Sequence, residues 1–422
     1  MALLKPFKGL RPPRELAQKL AAPPYDVVST DEARAYAKGN ETSFFHISRP
    51  EIDLAPDVDE HSEAVYQRGL VNLHAFISKG WLRRDPDATF YVYRQKMGSH
   101  VQVGLVAGAS VEEYDSGQIK KHELTRADKE DDRTRHVEVL GGNDEPVFLT
   151  YRSDKRIDAL VAEVMRATPE YDFVTEDGIA HTFWTVQGTA NRKVAEAFKA
   201  VPHLYIADGH HRSAAAARVR HQARQKGRGA GEVDFFLAVV FPHDQMQILA
   251  YNRVVRDLNG LTPEAFLERL RDRFEVQEGP RQNPDRLHSF AMVLGGQWYR
   301  LSAKPGSFPA TPTGLLDVSI LQNNLLGPVL GIGDPRKDSR IHFVGGIRGL
   351  GELERLVASG LYRVGFALHP TSLDQLMAIA DAGEIMPPKS TWFEPKLRSG
   401  LVLHLFDCPS SSPWTFASSG RR

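Results

Sequence analysis

The stretch that most constrains this chain is Tyr205-Ile206-Ala207-Asp208-Gly209-His210-His211-Arg212. The apolar run from Leu204 to Ala207 predicts a strand, and Asp208-Gly209 predicts a turn. Ser213 to Arg224 passes through alanines and arginines with no glycine or proline, which predicts a helix. Two histidines and an arginine therefore sit where a strand ends and a helix begins. The free N–H groups and the dipole of a helix N-terminus favour an anion there. Arg212 adds a fork of donors that matches phosphate oxygens. Two readings are open: a phosphate site, or a capped helix with solvated histidines.

Composition narrows the classes. The 422 residues suffice for two or three domains of roughly 100–200 residues each. Apolar residues make up 41% and charged residues 25%, so a large core can be buried. Lys+Arg and Asp+Glu are both 53, which argues against a generally basic nucleic-acid binder, though a local basic patch is compatible with it. The single cysteine, Cys408, excludes an internal disulfide framework and a cysteine-based zinc site. It fits a reducing compartment. Residues 1 to 8 lack signal-peptide architecture, and no stretch reaches the ~18 apolar residues of a membrane span. The expectation is a cytoplasmic protein with no membrane partner.

Element signals alternate irregularly. Residues 1 to 30 are proline-rich; Tyr25-Asp26-Val27-Val28 predicts a strand end and Ser29-Thr30-Asp31-Glu32 a helix start. Helices are expected over residues 61–80, 128–140, 157–165, 190–201, 262–274, 315–326, 350–359 and 373–382. Strands are expected over residues 90–93, 101–109, 147–151, 179–186, 235–241, 341–344, 362–368 and 401–406, with 247–251 as the hairpin partner of 235–241 and a further hairpin over 291–303. Residues 409–422 are serine-rich and aperiodic, the signature of a disordered tail. The fold class expected is α+β, with mixed sheets and helices. The domains expected are 1–110, 111–260 as the catalytic core, and 261–408.

Four constellations could carry chemistry. Asp208 with His210, His211 and Arg212 suits phosphate better than a metal alone, because histidines at i and i+1 of a helix face about 100° apart. His122-Glu123 with Thr125 offers a general base or a solvated loop. Lys129 and Arg133, at i and i+4 of a helix, could clamp a phosphate or line a salt-bridged face. Pro387-Pro388-Lys389-Ser390-Thr391 is a rigid loop presenting a lysine and two hydroxyls; it lacks the glycine pattern of a Walker A loop, and a structural turn fits it as well.

Taken together, Ala22-Pro23-Pro24-Tyr25-Asp26-Val27-Val28, His122-Glu123-Leu124-Thr125 with Lys129-Glu130-Asp131-Asp132-Arg133, Pro146-Val147-Phe148, the Tyr205–Arg212 stretch, and Met386-Pro387-Pro388-Lys389-Ser390-Thr391 followed by Phe393, Pro395-Lys396-Leu397 and Ser399-Gly400-Leu401 resemble the family called domain of unknown function 1015. The resemblance spans roughly residues 5–406. Its Asp-Gly-His-His-Arg turn is similar to that of ParB-like nucleotide hydrolases, sulfiredoxins and free-serine kinases. The resemblance implies a ParB/sulfiredoxin-like nucleotide- or phosphate-binding core and, from the free-serine kinases, phosphorylation of free L-serine or a similar hydroxy-amino acid. By it, Glu123 is the base and Asp208, His210 and His211 act beside it. Gly209, Arg212, Lys129, Arg133, Lys389, Ser390 and Thr391 would bind the donor: ATP, ADP or pyrophosphate. Asp208 would hold Mg²⁺ or fix a histidine tautomer. The chain lacks the basic helix-turn-helix region of a DNA-partitioning ParB, so the expected partner is a small molecule, not DNA; a homodimer is an open alternative. The rival reading is a ParB-like nucleotide-binding regulator without metabolite kinase activity.

Overall fold

The computed structural model describes residues 1–406. The tail expected at 409–422, and Cys408, lie outside the described residues. The described residues divide into two compact units: 1–120, 124–245 and 395–406 form the first, and 121–123 and 246–394 the second. No helix among the described residues is long and apolar enough to cross a membrane.

The first unit is built on a nine-stranded mixed sheet. Its main path runs Ile119–Lys120, Leu204–Asp208, Val147–Tyr151, Phe235–Pro242, His100–Ser110, Tyr91–Met97, Ala180–Thr185 and Tyr171–Val174, and Leu4–Lys5 adds to His100–Ser110. The hairpin expected across residues 97–100 forms, with Met97 paired to His100 and Gly98 at φ 59°. The central strands Val147–Tyr151 and Phe235–Pro242 are buried along nearly their whole length, as strands covered on both faces are. Phe90, Val92, Leu105, Ala107, Leu149 and Val240 pack with Ile157 and Val164 of the Lys155–Val164 helix and Val194 and Phe198 of the Ala190–Phe198 helix. A second core gathers Leu20, Phe44, Phe45, Ile47, Leu73 and Phe76 from the N-terminal helices.

Helix boundaries follow their local chemistry. Ser29 and Glu32 make a reciprocal capping box at the start of the Thr30–Ala37 helix. The Ala127–Leu140 helix stops where Gly141 turns left-handed at φ 68°. It packs on the His210–Gln225 helix, whose buried alanines Ala214–Ala217 leave room for close approach.

The second unit holds a six-stranded, wholly antiparallel sheet in the order Phe274–Glu278, Gln297–Ala303, Ser289–Leu294, Val364–Leu368, Tyr251–Val255 and Ile341–Gly345. Leu350, Leu353, Leu356 and Val357 of the Gly349–Ala358 helix cover Val254, Ala291, Val293 and Val344. The fold class is α+β, as expected.

Several expectations are corrected. Residues 247–251 do not pair with 235–241; Gln247–Leu249 pairs with Trp392–Glu394, and Tyr251–Val255 enters the six-stranded sheet. A shared boundary by sequence proximity does not mean a shared ladder when a longer strand offers more buried pairing. Tyr25–Val27 is a short 3₁₀ turn rather than a strand end. The helix expected over 262–274 ends at Leu270, and Phe274 opens a strand.

Candidate phosphate-binding turn

The Leu204–Asp208 strand pairs with Val147–Tyr151, and its register slips between Ile206 and Asp208. Such a bulge re-aims the next side chain, and here that side chain is Asp208. Gly209 follows at φ 94°. A Cβ added there would stand 3.0 Å from Arg212 Nε, so both the backbone angle and the space call for glycine. The His210–Gln225 helix begins immediately after, with its first-turn N–H groups lacking partners within the helix.

Each charged side chain of the turn is held. Asp208 Oδ2 accepts from Lys396 Nζ at 2.9 Å, and Oδ1 accepts from Gly209 N–H at 2.9 Å. Arg212 stands 3.9 Å from the same carboxylate. Burial alone would raise this carboxyl; the Lys396 ammonium and the Arg212 guanidinium outweigh it and hold Asp208 well below the usual carboxylate range. Lys396 is itself placed by the sheet: Gln95 Nε2 donates to its carbonyl at 2.8 Å, and Gln102 donates to Gln95 at 2.9 Å. Arg212 is buried and donates to the Pro146 carbonyl, while its Nε is buried without an acceptor. His211 Nε2 accepts the Arg126 N–H at 3.0 Å, which assigns the neutral ring proton to Nδ1.

Behind the turn lies a buried charge cluster in the same unit. Arg133 donates to Asp132 at 2.8 Å and lies 4.2 Å over the Tyr25 ring. Asp132 also accepts from Tyr66 and lies 3.0 Å from His61 Nδ1; against the upward push of burial, Arg133, the Tyr66 hydroxyl and His136 bring its carboxyl down to about 2. His136 and Asp144 pair at 3.0 Å. Glu145 Oε1 accepts from Tyr25 N–H and Ser399 Oγ, and Oε2 has no partner. Burial and the neighbouring Asp144 push the Glu145 carboxyl up to about 8, against the pull of Arg212 and Arg133. A small cleft is lined by Arg133, Asp144, Glu145 and Arg212.

The candidate residues thus fall on two units. Asp208, Gly209, His210, His211, Arg212, Lys129 and Arg133 belong to the first; Glu123, Lys389, Ser390 and Thr391 belong to the second. Arg133 does not share an open face with Lys129, because it turns into the buried cluster. In the second unit Ser390 Oγ donates to the Pro387 carbonyl at 2.6 Å, making the loop a closed turn, and Lys389 is exposed. The donor set at Asp208 does not fit Mg²⁺. That ion needs open carboxylate oxygens, and here one oxygen holds an ammonium and the other an amide N–H. Reasoning from motifs did not single out Glu145, Asp144 or Lys396, although all three lie in or beside the segments that carry the family resemblance. The adjacent carboxylates of Asp144-Glu145, just before an apolar strand, were the available signal.

The fold and this geometry define an α+β protein with a strand-to-helix turn, Asp208 to Arg212, backed by buried arginines. The chain belongs to the family described as protein of unknown function DUF1015, whose model matches residues 4–319. No curated protein matches the sequence. Among solved structures, a free serine kinase in complex with AMP is 15% identical, with 71% of this chain and 92% of that chain covered and a TM-score of 0.35. C-terminally truncated SbnI from Staphylococcus aureus is 13% identical, with coverage of 71% and 87% and a TM-score of 0.37. A conserved hypothetical protein from Pyrococcus furiosus is 14% identical, with coverage of 71% and 95% and a TM-score of 0.32.

Proposed function

We propose that this protein is a small-molecule kinase that phosphorylates the hydroxyl of free L-serine or a similar hydroxy-amino acid. The observation that carries the reading is the Asp208–Arg212 turn: a bulged strand end, a left-handed Gly209, a helix N-terminus and two cations, Arg212 and Lys396, at one point. Such a point holds a phosphoryl group by fixed donors and charge, and phosphoryl transfer is mostly positioning and charge stabilisation. Glu123 takes the proton of the acceptor hydroxyl. The hydroxyl oxygen bonds to the terminal phosphorus of the donor as the bond from phosphorus to the leaving phosphate oxygen breaks. His210, His211 and Arg212 hold the transferring group. Lys129, Lys389, Ser390 and Thr391 hold the rest of the donor, whether ATP, ADP or pyrophosphate. Within the first unit, His211 Nε2 also accepts the Arg126 N–H, which fixes the ring beside the turn.

The test is an assay for O-phosphoserine across ATP, ADP and pyrophosphate with L-serine and related hydroxy-amino acids. Product from one donor, lost in His211→Ala, is the expected result. Nucleotide-induced thermal stabilisation without product from any donor would favour the regulator.

A further inference from the structure

Four arginines are buried among the described residues: Arg133, Arg212, Arg253 and Arg398. Three have a carboxylate. Arg133 meets Asp132 at 2.8 Å, Arg212 meets Asp208 at 3.9 Å, and Arg398 pairs with Asp177. Arg253 differs. It is 3% exposed, on the Tyr251–Val255 strand of the second unit, and no carboxylate pairs with it. Its guanidinium donates to the carbonyls of Tyr251 and Lys389, the latter at 3.0 Å, and lies 5.3 Å over the Phe343 ring. Neutral carbonyls satisfy N–H groups but do not offset the charge, and buried charges are ordinarily paired. Burial without a counter-charge brings this guanidinium down to about 10.

The carbonyl that Arg253 holds belongs to Lys389, at φ 57° an uncommon angle for a lysine. The turn is further fixed by Ser390 Oγ to the Pro387 carbonyl at 2.6 Å and by Thr371 Oγ1 to the Ser390 carbonyl at 3.0 Å. The Lys389 ammonium is exposed, 5.7 Å over the Tyr251 ring. One strand and one braced turn thus carry two cations, Arg253 and Lys389, neither of which is in an ion pair with a carboxylate among the described residues. A dianionic group balances that pair; a single carboxylate does not.

We propose that Arg253 and the Lys389–Thr391 turn form an anion site on the second unit that takes the phosphoryl group of a free pyrophosphate or of a nucleotide. Arg253 is a binding residue beyond those named for the kinase reading, and the proposal rests on that reading only in its use of the turn. The Arg253 guanidinium, its Nη1 and Nη2 given to backbone carbonyls, contributes an uncompensated positive charge from beneath the turn, and the exposed Lys389 ammonium meets the phosphate as a point charge. The aromatic faces of Tyr251 and Phe343 lower the local dielectric and so strengthen both.

The experiment is calorimetric titration of the full chain with pyrophosphate and, separately, with ATP. Binding of either supports the site, and which of the two binds identifies the source of the phosphoryl group. Arg253→Gln and Lys389→Ala should each weaken that binding at least tenfold. A variant whose folding suffers but whose ligand affinity is unchanged would make Arg253 merely a brace for the turn and overturn the proposal. So would wild-type protein that binds neither ligand. If Arg253→Gln does not fold, Lys389→Ala decides, because its side chain is exposed. Arg253→Gln and His211→Ala keep the two readings separate: pyrophosphate affinity lost in Arg253→Gln and kept in His211→Ala supports the anion site whatever becomes of turnover, and affinity kept in Arg253→Gln but lost in His211→Ala overturns it.

Discussion

Lys396 and Asp208, 188 residues apart in the chain, form an ion pair with Nζ 2.9 Å from Oδ2. The pair is only partly exposed, 18% and 29% for the two side chains. Removing one partner leaves the other charged and poorly solvated. Lys396→Met should therefore cost about 1–3 kcal/mol, reduced from the fully buried case by that exposure. Asp208→Asn in the same background should restore part of the loss. Urea melts of the two single variants and the double variant check this; simple additivity would show that the pair is uncoupled.

Gly209 is the backbone condition of the turn. Gly209→Ala must hold a left-handed φ of 94° and place a methyl 3.0 Å from Arg212 Nε. The angle alone costs about 1–2 kcal/mol, and the contact displaces the guanidinium. The expected outcome is a stability loss of that order together with weaker phosphate binding. Thermal melts with and without pyrophosphate read both, and a variant with wild-type values would contradict the turn's assigned role.

Glu145 makes a signed pH prediction. Its carboxyl is pushed up to about 8 by burial and Asp144, whereas in the unfolded chain it titrates near ~4.3. Between those values the folded state holds a proton that the unfolded state has released. This group's contribution to stability is thus greatest at low pH, falls as pH rises toward about 8, and is constant beyond. Glu145→Gln removes that slope. The difference in Tm between variant and wild type should shift by a few degrees in favour of the variant from pH 5 to pH 8. A difference that does not change with pH would refute it.

Glu123→Gln tests the base. Turnover to O-phosphoserine should fall by about 10²–10⁴-fold while donor affinity changes little, because only the proton acceptor is lost. Single-turnover assays with separate donor titrations distinguish the two quantities. Unchanged turnover would return Glu123 to a solvated loop.

Much of the local structure was readable from residues alone. Apolar alternation and β-branched runs marked Tyr91–Met97, His100–Ser110 and Val147–Tyr151. Ser29 with Glu32 marked a helix start, and Gly141 a helix end. At the site, Asp208 to Arg212 was visible as a strand-to-helix turn because glycine and a helix-forming run sit side by side. The shared face expected for Lys129 and Arg133, whether clamp or salt-bridged surface, did not reveal that Arg133 is buried. Helical spacing gives the face a residue shares, but burial against Tyr25 and Asp132 depends on a segment more than 100 residues upstream in Tyr25's case.

By itself, the amino-acid order determined the elements whose causes are local: backbone angles at glycine, caps, periodicity and the donors offered at a helix start. Tertiary structure alone decided which strand received residues 246–255, that Lys396 neutralises Asp208, that Glu145 is buried against Asp144, and that Arg253 has no carboxylate. The physical reason is common to all four. Pairing partners and the local dielectric are set by chain segments far apart in sequence, and no short-range propensity encodes them.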